Sequence, residues 1–305
     1  MTLAVAITIF ASFLWGITNH IDKYLLNGVD ESGSSLKTLL VFSTLIAGIV
    51  ISPIWLIICN FSVNISNVSL ICVFLAATVS VLGIYAYFKA LEKNDASIVV
   101  VMFQLIPVFS YILALLFLNE TLTIHQIIGS IIIILSAILI TIDFEEKNHK
   151  SKVLALVLGT LSSFLYATDF FLFDIAIRNS SYNSCAFWFQ IGFLILGVFL
   201  ICIKSVRTTF FKAIKNNGKK YFSLNTINEA INTIASLLAH YANLVLPVAL
   251  VNVLNGFQGA FVFILGAIGV KLFPKYFTEN LNKKVIFQKV GCIILSLIGL
   301  IVIFM

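Results

Sequence analysis

Charge is what this chain lacks most. Asp, Glu, Lys and Arg make up 10% of its 305 residues, 60% are apolar, and the mean hydropathy is +1.08. A globular surface needs roughly a quarter of its residues charged, so a soluble fold is excluded. The excess of 19 basic over 13 acidic residues therefore reports topology and gives no reason to expect nucleic acid. Cysteine is equally uninformative as chemistry. Cys59, Cys72, Cys185, Cys202 and Cys292 stand singly without metal-ligand spacing, which argues against a disulfide framework or a zinc site. The four histidines, His20, His125, His149 and His240, are far apart and form no His-Glu-x-x-His pattern. Gly218, Lys219, Lys220 and Tyr221 do not make a phosphate-cradling loop, and no nucleophile motif stands out. No cofactor, metal or catalytic residue is expected. The first apolar run begins at Leu3 with no basic stretch before it, so it reads as a retained span without a cleaved signal.

What the chain has instead is long apolar runs. Crossing a hydrocarbon layer about 30 Å thick takes about 20 apolar residues in a helix. Ten runs qualify: 3–21, 39–58, 68–88, 96–118, 122–142, 153–173, 184–203, 221–246, 248–270 and 285–305. They are uniformly apolar and not alternating, which excludes barrel strands. Two polar segments, 143–152 and 204–220, read as the long loops. The first divides the chain nearly in half, and the halves resemble each other. Ser12, Phe13, Leu14 and Trp15 match Ser163, Phe164, Leu165 and Tyr166; Tyr87, Phe103 and Gln104 match Tyr241, Phe257 and Gln258 at an offset of 154. Five crossings per half force the second copy into the membrane upside down. The expected fold is thus an all-α integral membrane protein of ten transmembrane helices in two inverted five-helix repeats, 1–147 and 148–305. Loops after the odd-numbered spans carry 17 basic residues and the opposite side one, Arg178, which puts the former in the cytoplasm.

Polar residues within the runs are the candidates for function. Asp169, Glu229 and Lys289 are the charges assigned to spans, where each costs at least about 2.5 kcal/mol. Lys289 lies within a turn of its span's start and is expected to snorkel. Asn225, Glu229, Asn232, Ser236, His240 and Asn243 recur at helical spacing along one face. Such a stripe serves either as a hydrogen-bonded seam or as a cavity lining; six polar groups including an acid and an imidazole exceed what a seam requires. Asn252, Asn255 and Gln258 continue it, and Trp15 and Asn19 answer from the first span. Pro107 frees the carbonyl of Phe103 and bends its helix beside Gln104, a candidate hinge. The substrate-cavity candidates are therefore Trp15, Asn19, Gln104, Asp169, Asn225, Asn232, Ser236, His240, Asn252, Asn255 and Gln258. Low dielectric disfavours a charged carboxyl, so Glu229 is the coupling candidate, binding and releasing a proton.

Trp15, Gly16 and Asn19, then Ala96, Pro107 and Val108, then Asn119, Glu120, Leu122, Thr123, Gln126 and Gly129 resemble the EamA-like branch of the drug/metabolite transporter superfamily. That resemblance implies a basket of ten helices around a central cavity, and export or exchange of small metabolites such as amino acids. The second half departs from it, with Phe261 at the position matching Pro107 and an insertion from Phe273 to Asn282. The function read from the sequence is a gradient-driven secondary transporter of small, amino-acid-like metabolites in a bacterial inner membrane, with the lipid bilayer and protons as partners. The alternatives are a multidrug or nucleotide-sugar transporter of the same fold, and a non-transporting scaffold or lipid-processing protein.

Overall fold

The computed structural model describes residues 2–27, 36–118, 123–139, 149–246, 248–277, 279–303 and 305. The proposed boundary at 147/148, the 143–148 stretch and the motif residues Asn119, Glu120 and Leu122 lie outside them. The described residues form helices: α1 (Thr2–Asn27), α2 (Leu36–Ile46), α3 (Ser52–Ile58), α4 (Asn67–Leu91), α5 (Ala96–Val101), α6 (Ile106–Leu118), α7 (Ile124–Leu139), α8 (His149–Asn179), α9 (Tyr182–Cys202), α10 (Lys204–Ala242), α11 (Val248–Asn255), α12 (Gln258–Leu272) and α13 (Lys283–Ile303). Among the described residues, seven helical stretches are long and apolar enough to cross a membrane; α12 and the apolar part of α7 are shorter. This is a multi-pass, all-α integral membrane protein.

Several stretches are continuous in sequence but interrupted in structure. A π-turn, Ala47–Ile51, joins α2 to α3 just ahead of Pro53. A 3₁₀ turn, Met102–Leu105, joins α5 to α6 ahead of Pro107, and there the Ile106 N–H takes up the Phe103 carbonyl that proline leaves free. Tightening of the chain thus repairs the lost bond. The Ser163 hydroxyl donates to the Met102 carbonyl at 2.7 Å and clamps this turn to α8. Residues 248–270, expected as one span, break at Gly256–Phe257 into α11 and α12 although no proline is there.

The segment 204–220, read as a loop, is helical. Val206, Phe210 and Ala213 are buried on one face, so an amphipathic helix forms wherever that face meets apolar neighbours. It runs into the next span through Gly218, whose φ of +69° and ψ of −167° mark a sharp break inside α10. The open backbone geometry there suits glycine alone.

Packing is pairwise. α1 lies against α10 and α4 against α8; α2 and α3 pack on α9, α5 on α12, α6 on α11, and α7 on α13. Serine caps align one end: Ser66 Oγ accepts from Ser69 N and Ser181 Oγ from Ser184 N, while the Ser69 hydroxyl donates to Ala176 O at 2.8 Å. At the other end is an ion-pair cluster. Lys289 Nζ lies 2.6 Å from Asp95 Oδ2 and 2.7 Å from Glu279 Oε2, and Glu279 also accepts from the backbone and hydroxyl of Ser97. Lys289 is 1% exposed, so it does not snorkel; two acids from chain segments that look like loops draw it inward. Lys23 reinforces this end by donating to the Leu91 carbonyl at 2.7 Å.

Candidate functional site

Between these pairs the helices enclose a polar cavity. Its volume is about 110 Å³. α1, α2, α4, α8, α9, α10 and the turns at Met102–Leu105 and Gly256–Phe257 all contribute to the wall. Of the eleven cavity candidates, Trp15, Asn19, Gln104, Asp169, Asn232, Ser236, Asn252, Asn255 and Gln258 line it.

Asn225 and His240 do not line it. Asn225 turns its amide back to its own helix, donating to the Tyr221 carbonyl at 2.8 Å. His240 lies behind the wall, stacked on Phe173 with ring centres 4.1 Å apart and flanked by Phe170 at 4.6 Å. Its Nε2 is 3.9 Å from Asp169 Oδ1, beyond hydrogen-bond reach. The polar face of α10 therefore divides: Asn232, Thr233 and Ser236 reach the cavity, and the residues before and after them are packed. Glu229 is one layer behind, accepting from Ser43 Oγ at 2.6 Å and from Asn232 Nδ2 at 3.4 Å, both of which line the cavity.

The residue that sequence reasoning missed is Asp22. Ending the first span at residue 21 left it in a loop, yet α1 continues to Asn27 and Asp22 is buried against the cavity. It anchors a hydrogen-bonded chain. Gln258 Nε2 donates to Asn19 Oδ1 at 2.8 Å, Asn19 Nδ2 to the Tyr87 hydroxyl at 2.8 Å, and Tyr87 to Asp22 Oδ2 at 3.1 Å. Asn228 Nδ2 closes it at 2.6 Å from Asp22 Oδ1. In a medium with no water to satisfy polar groups, such mutual pairing is what allows them inside. Gln104 Nε2 meanwhile donates to the Gly256 carbonyl at 2.5 Å, tying the 3₁₀ turn to the opposite helix break. The half-helix α12 opens onto the cavity at Gln258 and Gly259.

Apolar helices, three of them interrupted where they meet an enclosed chamber, define a membrane-embedded protein with an internal cavity. Residues 2–142 match the model of the EamA-like transporter family. It is 41% identical over 69 residues to an uncharacterized protein of Methanocaldococcus jannaschii, a match covering 23% of this chain and 50% of that relative's length. Its fold is similar to a crystal structure of a protein 12% identical in sequence, with a TM-score of 0.53 over 97% of this chain and 96% of the other.

Proposed function

We propose that the protein is a secondary transporter that moves a small metabolite, of amino-acid size and polarity, by alternating access through the central cavity. The carrying observation is that the 3₁₀ turn Met102–Leu105 and the break at Gly256–Phe257 fall at matching positions, 154 residues apart, and both face the cavity. Discontinuous helices at corresponding places in two halves are the usual construction of a transporter's substrate site. The two-repeat reading, residues 1–147 and 148–305 with five spans each, is supported by the packing. α1 on α10 and α4 on α8 are exchanged partners under such a symmetry, while α7 on α13 is its own counterpart. Pro107 next to the 3₁₀ turn is the hinge in this reading, and Glu229 behind the wall the proton carrier. The chamber's size favours a small metabolite over a nucleotide sugar. This reading locates the protein in a bacterial inner membrane, its direction being export or exchange.

The test is solute flux in proteoliposomes. Purified protein should accelerate counterflow of at least one member of a small-metabolite panel above protein-free vesicles. Flux equal to the protein-free control across amines, amino acids and small sugars would leave a non-transporting role.

A further inference from the structure

The fully buried side-chain atoms of the cavity lining that lack a hydrogen-bond partner are all of one kind. Four buried atoms of its lining have no partner: Gln104 Oε1, Asp169 Oδ1, Gln190 Oε1 and Asn252 Oδ1. All four are acceptor oxygens. Gln104 has this orientation because its Nε2 is already committed to the Gly256 carbonyl, and the Asp169 carboxylate needs no orientation to be an acceptor. Acceptors buried without donors are destabilising, so the site gains most from a ligand that brings N–H groups.

Charge points the same way. Asp22 and Asp169 line the cavity and Glu229 is behind Ser43, while no Lys or Arg is among the lining residues described. The two other acids are occupied: Asp22 accepts from Tyr87 and Asn228, and Glu229 from Ser43 and Asn232. Asp169 differs. It is 3% exposed, Ser80 supplies it one side-chain hydrogen bond, and its Oδ1 stays open, with His240 too far to donate. Around it the wall is aromatic, with Tyr166, Phe170, Phe189 and Phe193, and aromatic faces attract a cation that has lost its water.

The geometry points to Asp169 as the anchor for a substrate ammonium: the transported solute carries a protonated primary amine, whose N–H groups meet Asp169 and the amide oxygens of the same chamber. This deepens the transporter reading and rests on it for what the site is used for. A free carboxylate on the substrate finds no cationic side chain in the lining, so the amine is the group recognised.

The experiment compares matched probes on purified protein by isothermal titration: phenethylamine, phenylalanine, 2-phenylethanol and 3-phenylpropanoate, with putrescine as a second amine. At least one ammonium-bearing probe should bind wild type, with 2-phenylethanol and 3-phenylpropanoate at least tenfold weaker. Asp169→Asn should lose at least tenfold in amine affinity, and Asp169→Glu should restore part of it. The wild-type comparison stands even if a variant fails to fold. Equal binding of the alcohol or the carboxylate, no binding by any ammonium probe, or wild-type affinity in Asp169→Asn would overturn the assignment. Flux separates the two readings. Transport of a non-amine solute without amine binding would sink the ammonium site and leave the transporter; Asp169-dependent amine binding without any flux would do the reverse.

Discussion

Glu229 has its two oxygens satisfied by Ser43 and Asn232, side chains that themselves face the cavity. Either neighbour can pass a change in the chamber to the carboxyl group, which is what a coupling residue requires. Glu229→Gln keeps the shape and one acceptor oxygen, so it should fold and insert normally but lose the acceleration of flux by an imposed proton gradient. Gradient-driven flux at the wild-type rate in reconstituted vesicles would remove Glu229 from coupling. Much of this layer was legible beforehand. Helical spacing, the repeat and the neighbouring Pro107 single out Asn19, Gln104 and Gln258, and an amide in an apolar run pairs with another helix, as Gln258 does with Asn19 and Gln104 with Gly256. Asp22 was not, because a helix that outlasts its apolar stretch has no signal in hydropathy; its partner Asn228 is 206 positions away in the chain. The position of His240 is hidden from the sequence for a related reason. Its helical spacing is right for the polar stripe, but three phenylalanines from other segments enclose it, and their convergence is a property of packing.

At the scale of elements, two features stand out for their energetics. The Asp95–Lys289–Glu279 cluster joins α13 to the start of α5 and to the segment after α12. Removing the ammonium leaves two carboxylates facing each other in a poorly solvated place. Lys289→Met should therefore cost about 3–5 kcal/mol, and adding Asp95→Asn and Glu279→Gln should recover most of it. Unfolding in mixed micelles measures both, and a single variant as stable as wild type would contradict the pairing. Neither acid could be recognised from the sequence, since each falls in a short polar stretch that looks like an exposed connection. The second feature is Gly218. A Cβ there meets no neighbouring atom within 4 Å, so any penalty comes from the backbone alone. Gly218→Ala should destabilise by about 1–3 kcal/mol, and Gly218→Asn by as much, because φ of +69° with ψ of −167° is a region essentially confined to glycine. Equal stability of all three proteins would mean that the break in α10 relaxes at no cost. The helical character of 204–217 was readable in principle from Val206, Phe210 and Ala213, but their signal is diluted by the basic residues between them.

At the scale of the whole molecule, the chain from Gln258 through Asn19, Tyr87 and Asp22 to Asn228 begins and ends on second-half helices and passes through α1 and α4 of the first. In the proposed alternating-access cycle, rocking of the 1–147 repeat against the 148–305 repeat parts Gln258 from Asn19 and Asn228 from Asp22. Four of these five residues line the cavity, so the parted groups are satisfied by water that enters it as they separate. Opening is therefore a step that takes up water from the bulk, and its free energy depends on the activity of that water. Solutes too large to enter the chamber, added at equal osmolality on both faces of the vesicle, should slow turnover progressively, and the logarithm of the rate should fall linearly with osmolality. A flat response would mean that the chain stays intact throughout the cycle. A linear one would count, from its slope, the water molecules that each turnover borrows.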